Sequence, residues 1–155
     1  MMYQLPIRAL DTQIDLQRVK NFFLQMGGET RGFFNRGRGN EEIILRFFNN
    51  DDIKNKGHAF FIALDGEEMA GYVYLWDTDK SIVWLGIAVA ENWKGRHLGR
   101  DLMNFAEVYV KSLSKGGILL TTSQANIRGQ GLYTHCGYEQ LGLHSSGELL
   151  FLKRF

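Results

Sequence analysis

Between residues 58 and 113 the chain changes its hydrophobic period from two to about 3.6, and that change limits what it can fold into. The stretch HAFFIALDGEEMAGYVYLW holds two β-rich apolar runs on either side of Asp65-Gly66, a dipeptide suited to a hairpin turn. SIVWLGIAV follows as a third run, so residues 58–89 read as an antiparallel meander. From Leu98 the spacing turns helical, with Leu98, Leu102, Phe105, Ala106, Tyr109 and Leu113 on one face of an amphipathic helix.

The flanking segments extend this order. A short strand is expected around residues 3–10, then a helix across DTQIDLQRVKNFFLQMGG, where Ile14, Val19, Phe22, Phe23 and Met26 follow a helical spacing that Gly27 and Gly28 stop. ETRGFFNRGRGNEEIILRFFNN reads as a loop running into a second helix from about Asn40. Lys115-Gly116-Gly117 closes the long helix, ILLTTS returns to strand character, a short helix covers about residues 128–135, and YEQLGL and ELLFLKRF supply two last strands. The expected order is β, α, α, three β, α, β, α, two β, an α+β fold. No repeat or linker interrupts it, so residues 1–155 are expected to form one domain.

Eighteen basic against 17 acidic residues give a net charge of +1, so no global field favours nucleic acid or an anionic membrane, and any cationic site must be local. The single cysteine, Cys136, cannot form an internal disulfide or a multi-cysteine zinc site, and it has no metal-ligand spacing with His58 or His144. It reads as a packing residue, and no metal is expected. The start MMYQLPIRALDTQ lacks a leader pattern and no run of 18 apolar residues occurs, so a soluble, cytoplasmic protein is expected.

Residues 92–103, NWKGRHLGRDLM, place two glycines and three basic side chains at the start of the long helix. A strand ending near Val89, a turn with Gly95 and Gly99, and a helix start aim free backbone N–H groups at one point, where an anion is stabilised. The field of the helix start contributes about 0.3–1 kcal/mol per anionic contact, and Lys94, Arg96 and Arg100 add charge-assisted hydrogen bonds. Taken alone, the stretch fits equally well a plain turn with three solvated cations. GxxxxGK(S/T) and GxGxxG are both absent, which disfavours a nucleoside triphosphatase or a dinucleotide oxidoreductase.

A second segment, ANIRGQGLYTHCGYEQL, places Asn126 just beyond a strand, Leu132 and Tyr133 on a short helix, and Gly137-Tyr138 ahead of another strand. With the strand VWLGIAV before them, the two segments in this order resemble the GNAT superfamily of acyl-coenzyme A-dependent N-acyltransferases. Lys94 to Gly99 match the family's Gln/Arg-x-x-Gly-x-Gly/Ala loop. Asn126 to Tyr138 match its Asn-x-x-Ala-x-x-Leu-Tyr-x-x-x-Gly-Phe/Tyr segment. The resemblance covers residues 58–155 well and the first 57 only by element order.

It implies a central, mostly antiparallel, splayed sheet of about seven strands flanked by about four helices. It also implies transfer of an acetyl group from acetyl-CoA to a primary amine by direct attack in a ternary complex. Lys94, Gly95, Arg96, His97, Leu98, Gly99 and Arg100 would then bind the cofactor pyrophosphate, and the backbone of Ile87 and Val89 the pantetheine amides. Asn126 would bond the pantetheine arm or serve only as an N-cap, and Tyr133 would be the general acid for the departing thiolate.

Several positions depart from the family pattern. Lys94 replaces Gln or Arg and loses the planar fork. His97 stands where glycine is usual, and the loop amides can still cradle phosphate if that residue needs no positive φ. Gly129 replaces the commoner alanine, with Gly131 close by, so that helix should be weak on its own.

Trp84 holds the position where many members carry a glutamate base. Glu91, Asp77, Asp79 and His135 are near in sequence but read as surface groups, which leaves ordered water relaying the proton to strand carbonyls. The acceptor groove is implied to lie partly between the first two helices, where Phe33, Phe34, Glu41 and Glu42 either wall it or serve packing and solvation. A small-molecule amine is the expected acceptor. A protein amine, and a non-catalytic acyl-CoA-binding or regulatory module, are the alternatives. A homodimer is compatible with the resemblance but is not encoded in these residues.

Overall fold

The meander forms where the period-two pattern lies. In the computed structural model, which describes residues 2–26, 40–49 and 57–155, β1 (Ile7–Ala9) edges β2 (His58–Asp65), which pairs antiparallel with β3 (Glu68–Trp76). The hairpin turn is Gly66-Glu67, with Gly66 at φ +62°, one residue later than an Asp65-Gly66 turn. β3 pairs antiparallel with β4 (Ile82–Val89). Alternation along β4 sends Val83, Leu85 and Ile87 to one face, and Ala88 to the other, the face that Trp84 and Gly86 share by register.

The first face is covered by α3 (Leu98–Ser112), which buries Leu98, Leu102, Met103, Ala106 and Val110. A Cβ at Gly71 would stand 2.9 Å from the Ala88 carbonyl and 3.0 Å from Leu102, so glycine is what lets this helix approach β3. The opposite face packs α1 (Leu16–Leu24) and α2 (Asn40–Asn49) through Val19, Phe22, Phe23, Ile44 and Phe47 against Phe60, Ile62, Tyr72 and Tyr74. The rest of the chain adds β5 (Gly117–Thr122), α4 (Ile127–His135), β6 (Glu139–Leu143) and β7 (Leu149–Arg154). The seven-stranded sheet runs β1-β2-β3-β4-β5-β7-β6, antiparallel throughout except for the β4–β5 pair. With four α-helices among the described residues, this is the expected α+β architecture.

Three local expectations are corrected. The first strand is confined to Ile7–Ala9, and α1 starts at Leu16, which leaves Ile14 outside it and 59% exposed. Residues 11–15 instead form a turn, in which Asp11 Oδ1 accepts from the Gln13 amide at 2.9 Å and the Asp11 carbonyl accepts from the Asp15 amide at 2.9 Å. The long helix ends at Ser112, and the chain reverses at Ser114, φ +59°, rather than at Gly116-Gly117. Gly27 and Gly28, expected to stop α1, lie outside the described residues. Among the described residues no helix is long and apolar enough to cross a membrane.

Candidate functional site

β4 and β5 are hydrogen-bonded only from Ile82–Trp84 to Gly117–Leu119. Beyond that point β4 continues to Val89 with β3 alone, and β5 continues to Thr122 with β7 alone. The two strands therefore splay, and among the described residues no strand pairs with the β4 edge from Leu85 to Val89 on the side away from β3. Ile87 and Val89 lie on this edge, with Ile87 buried and Val89 packed against the main core. What such an edge offers is main chain.

β4 leads through a 3₁₀ turn, Glu91–Trp93, into the glycine-basic loop. Lys94 is extended, Gly95 has φ +75°, and His97 has φ +68° immediately before α3. The proviso attached to His97 therefore fails: the backbone does require positive φ there, so a histidine occupies a conformation that suits glycine. Left-handed backbone costs an L-residue about 1–2 kcal/mol, partly offset because glycine loses more freedom on folding. His97→Gly is expected to raise stability in urea unfolding by about 0.5–1 kcal/mol, and a loss would show that the imidazole contributes contacts of its own.

The loop is anchored on several sides. The Gln4 side chain donates to the Arg96 carbonyl at 2.7 Å and the Gln4 amide to Asp101 Oδ2 at 3.1 Å. The Arg96 guanidinium lies 3.7 Å from the Trp93 ring centre and donates to the Asn92 carbonyl, while Lys94 pairs with Glu91 at 2.7 Å. Arg100 is exposed on the first turn of α3. His97 makes no side-chain cap, so no capping side chain from that position takes the first amides of α3, those of Leu98 and Gly99 among them. A Cβ at Gly95 would meet nothing within 4 Å, so only its φ demands glycine. At Gly99 a Cβ would stand 3.0 Å from Leu132 of α4, and at this contact the two sequence motifs meet.

α4 starts at Asn126, whose Oδ1 accepts from the Gly129 amide at 3.1 Å while its Nδ2 donates to Thr122 Oγ1 at 2.9 Å. A Cβ at position 129 would fall 2.4 Å from that amide nitrogen, so the glycine at this position makes room for the cap. One turn on, Tyr133 is buried against Phe151 and Tyr138, with ring centres 5.6 and 6.4 Å away. Burial, and then the charges of Cys136 and Glu148, push its hydroxyl well above the ordinary phenol range, which keeps it protonated at neutral pH. Behind it Lys153 pairs with Glu107 at 2.5 Å and donates to the Cys136 carbonyl at 2.7 Å. The Cys136 thiol is pushed up by burial first and by Glu107 second, consistent with a packing role.

Trp84 lies flat against Trp76, with ring centres 5.9 Å apart and planes at 7°, and meets His144 edge-on at 5.9 Å. The four acids and bases noted along the sequence are elsewhere. Asp77 and Asp79 lie in the β3–β4 turn beside the start of β2, where the Thr78 amide donates to the Gly57 carbonyl at 2.9 Å and a Cβ at Gly57 would fall 2.6 Å from Asp79 Oδ1. Glu91 is paired in the loop, and His135 is exposed at the end of α4. Sequence reasoning missed Glu148. Its carboxylate accepts from Thr121 Oγ1 at 3.2 Å, on the part of β5 that has left β4. The tight turn between β6 and β7 brings it there: the His144 amide donates to the Glu148 carbonyl at 2.8 Å, and Ser146 Oγ accepts from the Glu148 amide. SSGE signals only a turn, so nothing local marks the glutamate.

A cleft lined by Phe22, Asp65, Glu68, Met69, Glu91 and Trp93 among others opens between α1, the β2–β3 hairpin and the turn after β4. Phe33 and Phe34 lie outside the described residues, as do the side chains of Glu41 and Glu42. No cluster of metal-ligating side chains occurs among the described residues.

A family model described as the acetyltransferase (GNAT) family matches residues 10–138. No curated protein sequence matches the chain. Solved structures share its fold. The GNAT domain of S. lividans PAT has a TM-score of 0.82 at 15% identity over 96% of this chain and 89% of that one. A PaiA N-acetyltransferase from Thermoplasma acidophilum in complex with coenzyme A has a TM-score of 0.78 at 16% identity, over 99% and 100%. A phosphinothricin acetyltransferase from Sinorhizobium meliloti in complex with AcCoA has a TM-score of 0.78 at 17% identity, over 99% and 89%.

Proposed function

The chain belongs to the acetyltransferase (GNAT) family, and from that premise we propose that it transfers an acetyl group from acetyl-CoA to the primary amine of a small molecule, by direct attack in a ternary complex. The observation that carries this reading is the wedge between β4 and β5, which leaves the β4 edge from Leu85 to Val89 without a paired strand on that side among the described residues. When bound, acetyl-CoA supplies the activated thioester.

The residues at the site fit that molecule. The edge at Ile87 and Val89 suits pantetheine amides, and the loop from Gly95 to Gly99 presents backbone amides and open space to a pyrophosphate. Lys94, Arg96 and Arg100 add positive charge around it, and Asn126 sets the orientation of α4 and hence of Tyr133. Tyr133 donates a hydrogen bond to the departing sulfur. The near-neutral chain gives no support for a nucleic-acid-linked acceptor.

Isothermal titration with acetyl-CoA, with free coenzyme A alongside, tests this. Micromolar binding is expected for the wild type and none for Gly95→Asp, which sets a carboxylate beside the phosphates. The variant should still fold, because a Cβ there meets nothing within 4 Å and the left-handed backbone at φ +75° costs an L-residue only about 1–2 kcal/mol. Absence of binding by folded wild type would end the enzyme reading. Binding without turnover on any amine would leave an acyl-CoA-binding module.

A further inference from the structure

β4 reads IVWLGIAV and carries no titratable side chain, so an amine entering the wedge loses its proton to a group on another element. An alkyl ammonium has a pKa near 10 and is not a nucleophile until that happens. Tyr133 and Glu148, on elements that follow β5, are titratable side chains near its splayed end. Tyr133 comes from α4, in the core on the α3 side. Glu148 comes from the β6–β7 turn and is held by Thr121.

The placement of Glu148 follows from register. Trp84 and Leu119 are the last paired residues of β4 and β5. Thr121 lies two residues further on, about 6–7 Å along the strand, and Gly86 is its counterpart on β4. Ile118 and Leu120 point into the core beneath α3, so Thr121 points to the other face. Gly86 presents no side chain there, and the carboxylate therefore borders an open gap one step beyond Trp84. Only one of its oxygens is engaged by Thr121. His144 is the other titratable group beside it, and its Nδ1 accepts from the Ser146 amide at 3.2 Å. That bond already engages the lone pair of Nδ1, so this nitrogen is not free to take a proton from the amine.

We propose that Glu148 is the general base that accepts the proton of the attacking amine, in place of the carboxylate that β4 lacks. This rests on the acetyltransferase reading above. The ammonium gives one proton to Glu148, which passes it to water. The freed lone pair forms the C–N bond as the C–S bond breaks, the second proton of the nitrogen passes to the sulfur, and Tyr133 hydrogen-bonds the sulfur while its charge develops. The sum is amide, thiol and one proton released. Thr121 is a positioning residue, since it acts by holding the carboxylate.

The test compares Glu148→Gln with wild type on two amines of similar shape, benzylamine, which is protonated at neutral pH, and aniline, which is not. Glutamine keeps an acceptor for Thr121, so acetyl-CoA affinity by titration should stay within about twofold. Turnover of benzylamine should fall about 10²-fold or more, and that of aniline by less than about tenfold. Benzylamine turnover by the variant should recover as pH rises toward the pKa of the amine, near 10, where free amine no longer needs a base. Equal losses on both amines, or a tenfold loss of acetyl-CoA affinity, would assign Glu148 a structural role and overturn the proposal, as would an unchanged benzylamine rate. Wild type that binds acetyl-CoA and acetylates no amine of an acceptor screen, these two included, removes the transfer reading and this proposal together. A wild type active on both, with an indifferent variant, removes only this proposal.

Discussion

Replacing Tyr133 with Phe is expected to lower turnover about 10²–10⁴-fold while leaving acetyl-CoA affinity within about twofold. The hydroxyl is the only part of the side chain lost. The ring remains against Phe151 and Tyr138, so the fold of α4 should survive. The environment also specifies how the hydroxyl works. Burial raises its pKa first, and the charges of Cys136 and Glu148 add to that. A phenol so raised is a weaker acid than an ordinary thiol, with its pKa near 8.5. Complete transfer to the thiolate is therefore uphill, and the main contribution is a hydrogen bond that strengthens as charge develops on sulfur. No limb of the pH–rate profile below about pH 10 should belong to Tyr133. Steady-state kinetics beside calorimetry decides the matter: unchanged kcat in the Phe variant would rule the hydroxyl out of the chemistry, and a parallel loss of affinity would make it a binding residue.

Asp15→Asn should cost about 3–5 kcal/mol, the range for breaking a buried ion pair from one side. Asp15 is fully buried at the entry to α1. It accepts from Arg8 through both oxygens at 2.7 and 2.8 Å, from Arg18 at 3.0 Å, and from the Asp11 amide at 2.7 Å. Arg18 continues to Glu67 in the β2–β3 turn, so one carboxylate ties β1, α1 and the hairpin together. Burial alone would raise its pKa, but the bonds from Arg8 and Asp11 and the charges of Arg8 and Arg18 outweigh it and hold the carboxyl below its usual value. A depressed pKa stabilises the fold above the unfolded value, about 3.9 for aspartate, and that stabilisation is lost as pH falls through the folded value. Urea unfolding of wild type should therefore weaken below about pH 4 with a slope that Asp15→Asn lacks at this site. A cost under 1 kcal/mol, or the same acid slope in both proteins, would show that the cluster is not what fastens α1.

Local pattern carried the element order because both periods are properties of neighbouring residues. Val83, Leu85 and Ile87 alternate within β4, and Leu98, Leu102 and Ala106 recur along α3, whatever they pack against. The extent of α1 was less legible. Ile14 has the right spacing, but the bonds made by Asp11 and Asp15 take the chain through a turn first. Asn126 was legible as a cap because its bond to the Gly129 amide spans three residues.

The amino-acid sequence by itself determined the family, the succession of strands and helices, and the two glycine-bearing segments that meet at Gly99 and Leu132. Those depend on spacing within a few residues. Tertiary structure alone decided that β5 pairs with β7 before β6, that β4 and β5 part after Trp84 and Leu119, and that His97 takes a left-handed backbone. It alone placed Glu148 beside Thr121, 27 positions away in the chain. Long-range register is set by how whole faces of a sheet are buried, and no window of neighbouring residues contains that information.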